Sequence, residues 1–62
     1  LVHYNLACYF SLAGDSDTSL YELDMASQIE PHYLAMVLGE VDFDPIRDDP
    51  RLALMLSESL AP

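Results

Sequence analysis

The chain has 62 residues, of which 52% are hydrophobic, and its 11 Asp and Glu outweigh two Arg for a formal net charge of −9. Nucleic-acid binding requires Lys and Arg to neutralise phosphates, and an anionic membrane repels acidic protein in the same way. We therefore expect neither partner, and the charge favours a basic or apolar protein or peptide. The alternative is that the charge only keeps an apolar chain in solution.

The chain is too short to hide this much apolar surface alone. A domain of this length buries only about 60% of the surface of its unfolded chain, and the single cysteine, Cys8, cannot form a disulfide within it. We therefore expect a piece of a longer protein or a homo-oligomer. The lone thiol and the lack of a secretory leader or a long apolar run favour the cytoplasm.

Two antiparallel helices are predicted in the first half. Apolar residues recur at three- and four-residue steps from Val2 to Leu12, and Gly14-Asp15 ends this helix. A second helix is predicted from about Asp17 to Ile29, and Pro31 ends it. The short turn makes the helices antiparallel neighbours. The expected inward stripes are Val2, Leu6, Ala7, Phe10 and Ala13, then Leu20, Leu23, Met25, Ala26 and Ile29.

Two further helices are predicted in the second half, from His32 to about Val41 and from Pro50 to about Leu60. Between them, Asp44-Pro45 and Asp49-Pro50 each place a capping carboxylate before a proline suited to a first helical turn. No segment alternates with period two, so the predicted fold class is all-α, with a helix pair at 1–31 and capping helices at 32–62. The expected inward residues are Tyr33, Met36, Val37, Val41, Leu52, Met55, Leu56 and Leu60.

The first half resembles a tetratricopeptide repeat, a 34-residue helix–turn–helix unit. The residues at the family's spacing are Leu6, Ala7, Phe10, Gly14, Asp15, Leu23, Ala26 and Pro31. His3 and Ser19 depart from the family's preference for Trp and Ala. The second half, from Val41 to Ala53, resembles the extension that follows the last repeat in bacterial members. The likeness implies an α-solenoid fragment with a C-terminal cap.

This resemblance implies a non-catalytic protein–protein interaction scaffold. In the family, the first helix of a repeat lines the groove that grips partners, which makes candidates of Tyr4, Asn5, Cys8, Ser11 and Leu12. Tyr4 and Leu12 could equally contact a preceding repeat. Alanine at either position is expected to weaken partner capture without unfolding the chain. The alternatives are a self-association module and a regulatory appendage of an enzyme encoded elsewhere in the parent chain.

The sequence predicts no catalytic residue, metal or cofactor. The acids from Asp42 to Asp49 lack the glycine and terminal glutamate of a calcium loop, and Arg47 is expected to pair with one of them. His3 and His32 lie on different helices with no third ligand. Cys8 has no nearby cation to lower its pKa, and a packed thiol is expected.

Overall fold

Helices make up most of the computed structural model, which describes residues 1–60 apart from the side chain of Leu60. Within this range there is no strand, so the all-α prediction is confirmed. The predicted C-terminal unit includes residues 61 and 62, which lie outside the described part. The side chain of Leu60, which was expected to face inward, also lies outside it. The elements are α1 (Val2–Leu12), α2 (Ser16–Ile29), α3 (His32–Val37), a 3₁₀ helix (Val41–Ile46) and α4 (Pro50–Leu60).

Gly14 and Asp15 make the turn between α1 and α2. Gly14 has a positive φ of 81°, which costs glycine little because it has no Cβ. The Asp15 carboxylate accepts a hydrogen bond from the Thr18 amide at 3.1 Å, a standard N-cap contact. Hydrogen bonding from the Thr18 side chain, followed by that from its backbone amide, holds the pKa of this carboxyl below its usual range. The cap starts α2 at Ser16, one residue before the predicted position.

The predicted third helix is too long at its C-terminal end. α3 ends at Val37, and the chain turns into the 3₁₀ helix four residues later. The N-cap of that helix is Glu40, whose carboxylate accepts from the Asp42 amide at 3.3 Å. Asp44-Pro45 therefore lies inside a 3₁₀ turn and does not open a helix. Asp49 does cap α4, since it accepts from the Arg51 amide at 2.9 Å.

Small buried residues let α1 and α2 approach closely. Ala7 and Ala26 are 0% and 1% exposed, and the Ser19 hydroxyl donates to the Ala7 carbonyl oxygen at 2.7 Å. His3, earlier on α1, pairs with Glu22, later on α2. This order of contacts shows that the two helices run antiparallel, as predicted.

α1 is rotated about its axis relative to the prediction. Val2 and Leu6, expected inside, are 71% and 38% exposed, whereas Tyr4 and Ser11 are 4% and 0% exposed. Ala13 also faces solvent, and only Ala7 of the predicted stripe is fully buried. The physical reason is that α1 is packed on two sides, by α2 and by the C-terminal half, and the second contact covers the Tyr4 and Ser11 side.

Three predicted core residues beyond α1 are also exposed. Ile29 lies at the end of α2, Met36 faces out of the shortened α3, and Val41 starts the 3₁₀ helix; all three were expected inside and lie outside. Leu34 takes the buried position on α3 in place of Met36. The remaining buried apolar residues of the C-terminal half are Val37, Phe43, Ile46 and Leu52.

Two arginines tie the C-terminal half together and to α2. The Arg47 guanidinium donates to the Val37 and Glu40 carbonyl oxygens, both at 2.8 Å, and it pairs with Asp44 at 3.0 Å, as the sequence predicted. The Arg51 guanidinium pairs with Asp49 of the same segment at 2.8 Å and with Asp17 of α2 at 2.7 Å. The C-terminal half is thus joined to α2 by the ion pair between Arg51 and Asp17.

We expect Ala7→Leu to destabilise the chain by about 1–3 kcal/mol, because three additional carbons must enter the crossing of α1 and α2. The matched control is Ala53→Leu, at an exposed position of α4, where a change within about 0.5 kcal/mol is expected. Urea unfolding followed by circular dichroism measures both. Equal effects of the two substitutions would contradict close packing at Ala7.

Candidate interaction surface on the first helix

The five residues predicted to bind a partner do not share one open face. Tyr4 and Ser11 are buried, and Cys8 is half-buried against the core. Only Asn5 and Leu12 are exposed, Leu12 by 59%. Tyr4 and Ser11 therefore cannot touch a partner in this conformation, and their assignment as contact residues is corrected.

The C-terminal half of the chain covers the predicted groove side of α1. The Tyr4 ring stacks on Tyr33, with ring centroids 5.0 Å apart, and lies 5.8 Å from the Phe43 ring in a tilted arrangement. The Ser11 hydroxyl donates to the Asp42 carbonyl oxygen at 2.7 Å. The surface expected to hold another protein is occupied by the protein's own residues.

Burial raises the pKa of two ionisable groups on this side, Tyr4 and Cys8. The Tyr4 hydroxyl is buried and has no hydrogen-bond partner among residues 1–60. Desolvation by burial, followed by the charge of the neighbouring Cys8, raises the pKa of Tyr4 to about 12. Burial also raises the pKa of the Cys8 thiol, and the carboxylates of Asp42 and Glu40 add to the effect. Since the thiolate is the nucleophilic form, Cys8 is poorly suited to covalent chemistry.

The opposite side of α1 carries an exposed apolar row, which we call the outer stripe and define as Val2, Leu6 and Tyr9. These residues follow one another at steps of four and three, so they lie on one face of the helix. Their exposed fractions are 71%, 38% and 66%. The Tyr9 ring meets the Phe10 ring edge-on at 5.5 Å, which gives it a packed neighbour on the surface.

Sequence reasoning missed the outer stripe as a surface, although its signal was present. Val2 and Leu6 were assigned to the core because they repeat with helical periodicity, and Tyr9 was assigned no role. The same spacing is expected for a helix face that packs against the protein core and for a face that binds another chain. Only the placement of the C-terminal half distinguishes the two.

The two histidines lie on different helices, His3 on α1 and His32 on α3. His3 Nδ1 lies 2.6 Å from a Glu22 carboxylate oxygen, and this pair joins α1 to α2. His32 is exposed at the start of α3. Residues 1–60 contain no group of three side chains placed to hold a metal ion, and no pocket is found in this part of the chain.

None of the described helices is both long enough and apolar enough to cross a lipid bilayer.

Comparisons with known proteins give no relative from which to carry over a function. No protein-family model matches the chain, and neither the curated proteins nor the solved structures yield a match. The resemblance to tetratricopeptide repeats therefore stays a prediction. The surface chemistry of the chain is the remaining basis for a functional proposal.

We expect Tyr4→Phe to leave the fold intact and to be neutral or stabilising, because it removes a buried hydroxyl that has no partner. Tyr4→Ala removes the whole ring between Tyr33 and Phe43 and is expected to cost about 3–5 kcal/mol, the range for a large buried aromatic side chain. Chemical denaturation of both variants measures this contrast. A Tyr4→Ala variant as stable as wild type would show that the ring lies in solvent.

Alkaline pH is expected to weaken the fold through Tyr4. Its folded pKa of about 12 exceeds the ordinary value of 10.0, so the folded state binds this proton more tightly than the unfolded state. The resulting stability is complete below pH 10 and is lost as pH rises through the interval to about 12. Thermal melts across this interval should fall less steeply for Tyr4→Phe than for wild type. Tyr21→Phe, at an exposed tyrosine, is the control and should melt like wild type.

Proposed function

We propose that the chain is a non-catalytic protein–protein interaction module that presents the outer stripe of α1 to a protein partner. The observation that carries the proposal is the exposure of Val2 and Tyr9, 71% and 66%, on one face of a helix whose opposite face is buried. Apolar rows of this kind on a helix are a common means of recognising another helix. Exposed aromatic side chains are also enriched among residues that dominate binding energy.

A scaffold role is supported by what the other side chains do. The guanidinium groups of Arg47 and Arg51 are engaged in internal ion pairs, and His3 is held by Glu22. Cys8 is half-buried with a raised pKa. No nucleophile, base and orienting partner come together among the described residues, and such a trio is the usual requirement of an acyl-transfer site.

The likeness to a tetratricopeptide unit of bacterial type fits this proposal, with the outer stripe as a stacking surface. Partner binding on the groove side of α1 has less support, because Tyr4 and Ser11 are buried beneath the C-terminal half. Leu12 and Asn5 remain available at the edge of α1. We further propose a cytoplasmic setting, since the single thiol lacks a partner within the chain.

A matched pair of tyrosine substitutions tests the proposal. Tyr9 lies on the outer stripe and Tyr21 on α2, with exposed fractions of 66% and 62%. We expect Tyr9→Gln to reduce capture of partner proteins at least about tenfold, as loss of a central aromatic contact does. Tyr21→Gln should leave capture unchanged. Quantitative mass spectrometry of proteins retained from lysate by the immobilised chain gives the comparison.

Circular dichroism and thermal melts of the two variants provide the control for folding, since both tyrosines are exposed and both variants should retain wild-type helicity. A protein set that is retained equally by wild type, Tyr9→Gln and Tyr21→Gln would refute the assignment of the outer stripe as the binding surface.

A further inference from the structure

Acidic residues border α1 at both of its ends. Glu22 of α2 lies beside His3 in the first turn, with 2.6 Å between its carboxylate oxygen and Nδ1 of the histidine. Asp15 follows the last turn, and its backbone amide donates to the Phe10 carbonyl oxygen at 2.9 Å. Glu22 already has His3 as a partner, whereas Asp15 is exposed to solvent. An exposed acidic residue therefore adjoins the Tyr9 end of the outer stripe.

The C-terminal end of α1 is electronegative for a second reason. Aligned peptide dipoles place partial negative charge at the C-terminus of a helix, and α1 has no basic residue in its last turn. Arg47 and Arg51 are the only Lys or Arg residues of the chain, and the guanidinium groups of both are engaged in internal ion pairs. A lysine or arginine that meets this end of α1 has to come from a partner.

The outer stripe has the dimensions of one helix face. Val2, Leu6 and Tyr9 span about 10 Å along α1 at a rise of about 1.5 Å per residue. This length matches apolar side chains at positions i, i+4 and i+7 of a partner helix. An extended peptide usually adds to the edge of a sheet, and residues 1–60 contain no strand. A helix is therefore the partner conformation that fits this surface.

Charge complementarity favours one class of partner helix. A second copy of the chain would bring another net charge of −9, and its residues 1–14 contain no Lys or Arg. An acidic helix would be repelled by Asp15 in the same way. A helix with lysine or arginine beside its apolar row offsets the charge of Asp15 and of the α1 C-terminus. Its cation also gains from an exposed aromatic ring such as that of Tyr9.

We infer that the outer stripe accepts a basic amphipathic helix, whose apolar side chains lie on Val2, Leu6 and Tyr9 and whose lysine or arginine side chains meet the Asp15 end of α1. This inference rests on the proposed function, because it names the chemistry of the partner on the same surface. The apolar contact supplies affinity, and the cation decides which apolar helix is accepted.

Two synthetic amphipathic peptides test the inference by isothermal titration calorimetry. They share one leucine row and carry either arginine or glutamate on its flanks. We expect the arginine peptide to bind wild type at least about tenfold more tightly than the glutamate peptide, and added NaCl to weaken its binding. Tyr9→Gln should raise the dissociation constant of the arginine peptide at least about tenfold, and Tyr21→Gln should leave it unchanged.

A matched pair of charge-removing substitutions separates local charge from net charge. Asp15→Asn is expected to weaken binding of the arginine peptide about two- to fivefold, the range for an exposed ion pair, and it keeps the helix cap because asparagine caps as well as aspartate. Asp48→Asn removes the same charge at an exposed position of the C-terminal half, which packs on the opposite side of α1. It should change the dissociation constant less than Asp15→Asn does.

Four results would overturn the inference: no binding of the arginine peptide, equal binding of both peptides, equal effects of Asp15→Asn and Asp48→Asn, or a Tyr9-dependent dimer of wild type in sedimentation equilibrium. These results are distinguishable from failure of the proposed function. If the arginine peptide has no advantage but wild type still retains cell proteins in a Tyr9-dependent manner, the interaction module stands and the basic helix is rejected as its partner.

Discussion

The packing of the Tyr4 ring against Tyr33 and Phe43 decides which side of α1 is interior. This aromatic cluster attaches α3 and the 3₁₀ helix to the first helix, and the hydrogen bond from Ser11 to the Asp42 carbonyl oxygen fixes their position along it. With α2 on one flank and this cluster on the other, only one face of α1 remains for solvent. That face carries the outer stripe, with Asn5 and Leu12 at its edge.

The sequence predicted the helices better than their orientation. The bounds of α1 and α4 are as expected, because capping chemistry is local: a glycine with positive φ after α1 and an aspartate before Pro50. The crossing at Ala7 and Ala26 was also predicted, because small residues at helical spacing mark close approach. α3 was predicted too long because its apolar residues continue past Gly39 into a separate 3₁₀ helix.

The buried side of α1 could not be read from its own residues. Apolar side chains lie nearly all round this helix, so their periodicity does not identify the buried side. Val2 and Leu6 were therefore predicted inside, whereas Tyr4 and Ser11 are the buried residues. The deciding contacts come from Tyr33 and Phe43, about 30 and 40 residues away along the chain. Tyr4 and Ser11 were wrongly expected to contact a partner for the same reason: the family likeness placed the groove on a side that this chain covers with its own C-terminal half. Asn5 and Leu12 are exposed and stay predictions.

Charged residues are unevenly placed along the chain. The guanidinium groups of both arginines bind groups within the chain, and every carboxylate lies at or beyond Asp15. The protein surface is therefore acidic over much of its area and apolar on the outer stripe.

The most direct test of this account is the environment of the Tyr4 and Tyr9 rings in solution, measured by NMR on the 62-residue chain. We predict nuclear Overhauser contacts from the Tyr4 ring to Tyr33 and Phe43. A soluble paramagnetic probe should broaden the Tyr9 ring signals and leave those of Tyr4 sharp. A Tyr4 ring that lacks these contacts and is broadened as strongly as Tyr9 would contradict the account.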